Sequence, residues 1–224
     1  MDPIKVTFFG DSICVGQGIS IYRGWVTRLA QRLAEAESRL GAEVLVTNAS
    51  VNGRTSRQAL EDMPYGVQSH GVDVLIVQFG MNDCNRWATD RGLSRVSLGA
   101  FVANIREIVE RGFRFGASRI ILNSNHPTSR TTESMPGGDA TYEDENRRYS
   151  EALHELAGTL DPRVSFQHIH REFSARWSEH GRTVADFLLP DGLHLNADGH
   201  DAYLARMHPV VESAVSSIAA IRSR

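Results

Sequence analysis

The segment Lys5-Val6-Thr7-Phe8-Phe9-Gly10-Asp11-Ser12 joins an apolar, β-branched run to a glycine and then to a serine. Lys5–Phe9 has the composition of a buried strand. Gly10 permits a tight turn directly after that strand, because glycine tolerates backbone conformations that other residues avoid. The segment therefore predicts a strand that carries the Ser12 hydroxyl to the carboxyl edge of a sheet.

Four more apolar runs follow, and segments with helical periodicity separate them. The runs are Val44–Asn48, Val74–Phe79, Arg119–Asn123 and Val164–His168. The helical segments cover residues 25–33, 98–109, 142–156 and 197–220. Strands that alternate with helices indicate a parallel sheet with helices on both faces. We therefore predict a single domain over residues 1–224, an α/β fold built as a three-layer α/β/α sandwich with a five-stranded parallel sheet.

The composition narrows the class of protein. Hydrophobic residues make up 41% and charged residues 23% of the chain, which is typical of a globular domain. The net charge of −3 gives no polyanion-binding signature and argues against a nucleic-acid partner. No run approaches the roughly 18 apolar residues of a membrane span, and we read no signal peptide. The two cysteines, Cys14 and Cys84, fit a reducing compartment, so a cytoplasmic location is expected.

Ser12 is the first candidate for chemistry. A serine hydroxyl becomes a nucleophile when a neighbouring base removes its proton. Taken alone, a serine after a strand is more simply interpreted as a helix N-cap. Cys14 is a rival nucleophile because thiols need less activation, although nothing around it marks a cysteine site. The residues around Ser12 leave these interpretations open.

A candidate base lies near the other end of the chain, in Asp191-Gly192-Leu193-His194. The spacing of Asp191 and His194 lets the carboxylate fold back onto the imidazole. A carboxylate in that place fixes the imidazole tautomer and stabilises the imidazolium ion. For an isolated motif of this kind, a surface loop with a capping aspartate is the simpler interpretation.

Two further features follow the second and third predicted strands. Gly53 can bring a backbone N–H close to a ligand, and Asn82 can donate an amide hydrogen bond to a developing oxyanion. Each has a simpler interpretation, a turn at Gly53 and an Asx-turn at Asn82. Taken together with Ser12 and the Asp191–His194 pair, these features favour the catalytic interpretation. Each of them falls where α/β sheets bind their ligands.

In these four blocks the chain resembles the SGNH (GDSL-type) hydrolases, a family of esterases, lipases, thioesterases and carbohydrate deacylases. Gly10-Asp11-Ser12-Ile13 matches the first block, with Ile13 in place of the frequent leucine. Gly53 matches the second block, residues 80–83 the third and residues 191–194 the last. The resemblance spans residues 10–194 and covers nearly the whole predicted domain.

The resemblance implies a serine hydrolase in which Ser12, Asp191 and His194 are catalytic. It implies an oxyanion hole formed by the backbone N–H groups of Ser12 and Gly53 and the amide of Asn82. It also implies a flavodoxin-like strand order of 2-1-3-4-5. This chemistry needs no metal and no organic cofactor, and the remaining histidines form no convincing metal site.

Four residues near the predicted site are candidates for substrate contact: Asp11, Arg54, Trp87 and His126. Arg54 suits a carboxylate or a sugar hydroxyl, and a surface ion pair explains it equally well. Trp87 suits stacking on a sugar ring or covering an acyl chain, with simple packing as the alternative. For His126 a structural role is favoured over substrate contact. The segment Thr128–Ala140 is a candidate lid.

Few bulky apolar residues follow the predicted strands, so the sequence favours a short acyl group. We expect an esterase that removes acetyl groups from a carbohydrate or another small polar alcohol. The alternatives within enzymes are a lysophospholipase, an acyl-thioesterase or an acyltransferase. Outside hydrolases they are a non-catalytic α/β binding module and a flavin-binding protein. The sequence makes no prediction about the oligomeric state.

Overall fold

The central sheet contains five parallel strands, β1 (Ile4–Gly10), β2 (Val44–Asn48), β3 (Val74–Gln78), β4 (Arg119–Asn123) and β5 (Val164–Gln167). Their order across the sheet is β2-β1-β3-β4-β5, which confirms the order implied by the family resemblance. The computed structural model describes residues 2–179 and 181–223. Every strand begins and ends within one residue of its predicted bounds.

The middle strands are apolar throughout because both of their faces are covered. β1 and β3 are buried along almost their whole length, whereas the edge strands β2 and β5 are partly exposed. In a sheet covered on both faces, successive side chains enter different layers and all of them need to be apolar. The run Val74-Leu-Ile-Val is the clearest example of this pattern.

Helices form the outer layers of the sandwich. They are α1 (Ser12–Val15), α2 (Trp25–Glu35), α3 (Glu37–Leu40), α4 (Ser56–Gly66), α5 (Met81–Cys84), α6 (Leu98–Arg114), α7 (Tyr142–Ala157), α8 (Ile169–Arg176) and α9 (Ala197–Arg222). α2 packs against α9, while α4, α6 and α7 pack in series. Among the residues that the structure describes, none of these helices has the length and hydropathy needed to cross a bilayer.

The helices α2, α6, α7 and α9 agree with the sequence prediction, whereas three helices of four residues and two longer ones were missed. Ser97 caps α6 by accepting the N–H of Ala100. The sequence did not predict α4 or α8. α4 contains Pro64, a residue that disfavours helix interiors, and it is stabilised at its start by a capping box between Thr55 and Gln58.

His200 satisfies a backbone donor at the start of α2. The N-cap of α2 is Gly24, which has no side chain to accept the first N–H groups of the helix. His200 on α9 does so instead, with 3.2 Å between its Nδ1 atom and the backbone nitrogen of Trp25. Burial, together with the nearby Arg28 guanidinium, lowers the pKa of His200 to about 4. The contact therefore requires a neutral imidazole.

We expect the H200N variant to differ from the wild type in the pH dependence of its stability. The folded-state pKa of His200 lies below the usual value of about 6.5, so its contribution is present above pH 6.5 and is lost as the pH falls towards 4. The variant is expected to unfold more easily at pH 7, and the difference in the free energy of unfolding should shrink by up to about 3 kcal/mol by pH 4.

Urea denaturation at several pH values measures this difference. Other groups that titrate in the same range are present in both proteins and cancel in the comparison. The matched control is H70N, which makes the same substitution at an exposed histidine. A constant difference for H200N would contradict the role of the neutral imidazole.

Candidate active site

The turn after β1 places Ser12 at the carboxyl edge of the sheet. A Cβ atom at Gly10 would lie 2.9 Å from Cys14 Sγ and 3.0 Å from the backbone oxygen of Gln78, so only glycine fits there. Asp11 caps α1 by accepting the N–H of Ile13 at 3.0 Å. Ser12 is the first residue of α1 and is 5% exposed. A hydroxyl in this place is close to solvent but held by a packed turn.

Ser12, His194 and Asp191 form a continuous chain of polar contacts. Ser12 Oγ lies 3.0 Å from His194 Nε2, and His194 Nδ1 lies 2.6 Å from Asp191 Oδ2. Because the carboxylate accepts a hydrogen bond from Nδ1–H, Nε2 carries no proton and faces the serine hydroxyl as an acceptor. The structure thus brings together all three residues that the sequence predicted as nucleophile, base and orienting acid.

The loop that carries His194 also holds the Asp191 carboxylate. Asp191 Oδ1 accepts the backbone N–H groups of Leu193 and His194, each at 2.9 Å. Gly192 adopts φ +70, a conformation that side chains rarely tolerate, and so lets the loop close. Burial raises the pKa of Asp191, but the hydrogen bonds from the His194 ring and the two backbone N–H groups outweigh it, so the net pKa is below the usual value. Asp191 therefore stays ionised to a lower pH than an ordinary aspartate.

The two other predicted donors follow β2 and β3, Gly53 in a turn and Asn82 in the short helix α5. Gly53 adopts φ +73 and is exposed at the end of its loop. Asn82 is partly buried, and its Nδ2 atom lies 3.4 Å from Asp11 Oδ2. The same amide therefore contacts the residue that immediately precedes Ser12. The roles of Gly53 and Asn82 as oxyanion donors remain predictions.

Three of the four residues predicted to contact the substrate are buried in the fold. Asp11 is 0% exposed and Arg54 is 4% exposed. Arg54 donates hydrogen bonds to the backbone oxygens of Gly10 and Ala49 at 3.0 and 2.6 Å. These contacts stabilise the turn that carries Ser12. Both side chains lie below the surface in this structure, and their contact with the substrate stays a prediction.

His126 is also buried, and its contacts agree with the structural role that the sequence favours. It is 0% exposed, and its Nε2 atom lies 2.8 Å from the backbone oxygen of Leu193, directly beneath the His194 loop. Burial lowers its pKa to about 4, so the ring is neutral. Trp87, in contrast, is 47% exposed and remains available to a ligand.

Cys14, the rival nucleophile, is buried away from the histidine. Its Sγ atom lies 3.6 Å from Gln78 Oε1. Burial raises the pKa of the Cys14 thiol well above its usual range, and the Asp11 carboxyl raises it further. A thiol that stays protonated is a poor nucleophile. The geometry therefore favours Ser12 over Cys14.

Three other histidines, His154, His168 and His170, make local contacts. His170 Nε2 lies 2.7 Å from Glu143 Oε1, and the His168 ring packs edge-on against His154 at 4.3 Å between centroids. Across residues 2–179 and 181–223, no group of three or more histidine, cysteine, aspartate or glutamate side chains is arranged to hold a metal ion.

A cleft of about 600 Å³ opens beside the Asp191 loop. Most of its lining residues are polar. The full lining consists of Asn85, Arg86, Ser129, Arg130, Thr132, Glu133, Ser134, Met135, Pro136, Tyr142, Pro190, Asp191 and Gly192. The predicted lid segment, Thr128–Ala140, forms one wall of this cleft. Asp191 of the candidate triad is part of the lining of this cleft.

Sequence reasoning missed two arginines of the site. Arg130 Nε donates to the backbone oxygen of Asp191 at 2.8 Å, and the neighbouring Ser129 N–H donates to that of Gly192 at 3.0 Å. The candidate lid therefore also clamps the loop that carries the acid. Arg95 donates to the backbone oxygen of Gly53 at 3.0 Å. No motif marks either arginine, because each acts through contacts between loops distant in sequence.

The fold and the Ser12–His194–Asp191 arrangement define the class of the protein, an ester hydrolase with a three-layer α/β/α architecture. The chain belongs to the GDSL-like lipase/acylhydrolase family, whose model matches residues 8–202. This membership confirms the predicted family and agrees with a carboxylic ester hydrolase.

Relatives of known name agree with this assignment. The chain is 22% identical to the arylesterase of Vibrio mimicus over 190 residues, which cover 85% of this chain and 79% of the relative. It superposes on a lipase/acylhydrolase from Enterococcus faecalis with a TM-score of 0.72 at 20% identity, over 94% of this chain and 96% of the other. It superposes on the acetylxylan esterase Axe2 from Geobacillus stearothermophilus with a TM-score of 0.72 at 18% identity, over 93% of both chains.

Proposed function

We propose that the chain hydrolyses carboxylic esters through an acyl-enzyme on Ser12. The observation that carries this proposal is the continuous contact from Ser12 Oγ to His194 Nε2 and from His194 Nδ1 to Asp191, at 3.0 and 2.6 Å. A serine activated by an oriented imidazole is the arrangement that acyl transfer requires.

In the first half of the reaction, His194 Nε2 takes the hydroxyl proton of Ser12 while Oγ attacks the ester carbonyl carbon. The carbonyl oxygen becomes an oxyanion, which accepts hydrogen bonds from the backbone N–H groups of Ser12 and Gly53 and from the Asn82 amide. The ionised Asp191 stabilises the imidazolium ion. His194 then returns the proton to the departing alcohol oxygen, the ester C–O bond breaks and the acyl group stays on Ser12.

In the second half, water replaces the alcohol. His194 removes a proton from the water, whose oxygen attacks the acyl-enzyme carbonyl carbon and forms a second oxyanion in the same hole. The proton passes to Ser12 Oγ as its bond to the acyl carbon breaks. The carboxylic acid leaves, and the enzyme returns to its starting state.

The proposed substrate carries a short acyl group, such as acetyl, on a carbohydrate or another small polar alcohol. Two observations support this class. The cleft beside Asp191 is lined mainly by polar side chains, among them Arg130, Thr132 and Glu133. Trp87 is 47% exposed near the site and suits stacking on a sugar ring. The similarity in fold to an acetylxylan esterase agrees with the same class.

Acyl-chain profiling tests the substrate class. The expected result is a kcat/KM for nitrophenyl esters that is highest for acetate and falls as the chain lengthens towards palmitate. A panel of acetylated sugars and acyl thioesters, measured in parallel, identifies the preferred alcohol. A preference for chains of eight or more carbons would favour a lysophospholipase or an acyl-thioesterase. Transfer of the acyl group to an added sugar would instead reveal an acyltransferase.

Asn82→Ala tests the oxyanion hole. Removal of one donor from such a hole typically lowers kcat by about 10²- to 10³-fold, because that hydrogen bond is strongest in the transition state. We expect a loss of this size in kcat, with a much smaller change in KM. The free energy of unfolding, measured on the same variant, shows whether the fold is intact. A variant that is folded and fully active would exclude Asn82 from the hole.

A further inference from the structure

One guanidinium group connects the two segments that carry the proposed oxyanion donors, the Gly53 turn and α5. Arg95 Nη1 donates to the backbone oxygen of Gly53 at 3.0 Å and lies 3.5 Å from Asn82 Oδ1. Gly53 follows β2 and Asn82 follows β3, so the two segments are separate in sequence and meet only at the sheet edge. The same arginine nitrogen is thus a shared partner of both.

The contact with Arg95 determines which way the Asn82 amide points. Asn82 Oδ1 faces the guanidinium, and Nδ2 faces Asp11 Oδ2 at 3.4 Å. The amide is planar, so with its oxygen held on one side and one N–H held on the other, the second N–H has a defined direction. An inverted amide would aim its NH₂ group at the Arg95 guanidinium, which is unfavourable.

Arg95 has its own supports. Its backbone N–H donates to the backbone oxygen of Asn85 at 3.0 Å, and the next residue, Val96, donates to that of Asp83 at 3.1 Å. Its guanidinium carbon lies 4.6 Å from the centroid of the Trp87 ring, a distance typical of a cation–π contact. The segment that follows Asn82 therefore folds back against it. This fold places the restrained Arg95 guanidinium beside the amide oxygen of Asn82.

The positive charge also strengthens the donor. Hydrogen bonds to charged groups are stronger than neutral ones, and a bonded amide oxygen polarises the N–H groups at the other end of the same amide. A guanidinium on Asn82 Oδ1 makes the Nδ2 hydrogens better donors to an anion. At Gly53 the same cation holds a glycine that adopts φ +73, a residue with no side chain to restrain it.

We propose that Arg95 is a positioning residue of the oxyanion hole, which orients the Asn82 amide and holds the Gly53 loop. This inference rests on the proposed function, since it concerns the same reaction. Arg95 acts through two other residues and makes no contact with the reacting atoms. Its loss should therefore change the rate of the chemical step more than it changes substrate binding.

The test is a kinetic comparison of R95A, R95K and N82A with the wild type on nitrophenyl acetate. Misplacement of a catalytic group by about 1 Å can lower the rate by about 10²-fold, so R95A is expected to lose about 10- to 100-fold in kcat with little change in KM. R95K keeps the charge but not the planar fork and should be intermediate. Free guanidinium ion, added far below denaturing concentrations, should restore part of the activity of R95A.

A double-mutant cycle with Asn82 gives the sharpest readout. If Arg95 acts through Asn82, the R95A change should have a much smaller effect in the N82A background than in the wild type. The matched control is R57A, which removes an exposed arginine from the first turn of α4 and should retain the wild-type kcat.

Three results would overturn the inference: a wild-type kcat for R95A, a loss that appears mainly in KM, or full additivity of R95A with N82A. S12A is assayed in the same series. Loss of turnover in S12A together with an unaffected R95A would reject only the role of Arg95. Unaffected turnover in S12A would reject the proposed function itself.

Discussion

Replacement of Ser12 by alanine is expected to lower kcat for nitrophenyl acetate by about 10⁴- to 10⁶-fold and to leave the protein folded. Alanine removes the atom that attacks the carbonyl carbon, and His194 Nε2, 3.0 Å from that atom in the wild type, then has no hydroxyl to deprotonate. What remains is the contribution of the oxyanion hole and of substrate binding. Steady-state kinetics, with unfolding measured by urea, separates loss of chemistry from loss of structure.

The matched control for S12A is C14A, which tests the rival nucleophile two residues away. Cys14 is buried, and its sulfur atom contacts Gln78 rather than the histidine. C14A is therefore expected to keep near-wild-type turnover, with a modest loss of stability from the missing sulfur atom. The opposite pattern, an active S12A and an inactive but folded C14A, would transfer the role of nucleophile to the cysteine.

The second large effect is expected for D191N, at about 10⁴-fold in kcat. The side-chain oxygen of the asparagine can still accept the backbone N–H groups of Leu193 and His194, as Asp191 Oδ1 does at 2.9 Å. Its NH₂ group then faces His194 Nδ1. The imidazole must accept there and carry its proton on Nε2, so it can no longer take the proton of Ser12.

The chain offers a close control for D191N in a second histidine–carboxylate pair. His170 Nε2 lies 2.7 Å from Glu143 Oε1, almost the same separation as between His194 and Asp191. E143Q makes the same carboxylate-to-amide change in a pair that is not connected to Ser12, and it should retain most of the activity. Equal losses in D191N and E143Q would mean that the effect is structural, and the orienting role of Asp191 would be rejected.

The sequence predicted the sheet and the triad because both depend on local patterns and on one rule of topology. Ser12 and His194 are 182 residues apart, yet each lies at the carboxyl edge of a parallel sheet, where such loops converge. The strand patterns were also clear, since the middle strands are covered on both faces and are apolar throughout.

The residues around the triad could not be predicted in the same way. Arg54 and His126 follow strands just as Ser12 does, but other segments pack over them. The local sequence does not show which side chains are exposed after the chain has packed. Arg95 was missed for the converse reason. Its partners, Gly53 and Asn82, come from two other segments and meet it only in the folded protein. A sequence pattern indicates whether a position is polar or apolar. The residues that contact that position depend on the tertiary structure.

The most direct test of the central claim is to locate the acyl group on the enzyme during turnover. The wild type is mixed with nitrophenyl acetate, quenched in acid during the initial burst and digested with trypsin. Cleavage after Lys5 and Arg23 gives one peptide that contains both Ser12 and Cys14, and fragmentation in the mass spectrometer assigns the site. We predict a single acetyl group on Ser12, absent from S12A. An acetyl group on Cys14, or turnover without acylation of Ser12, would contradict the account.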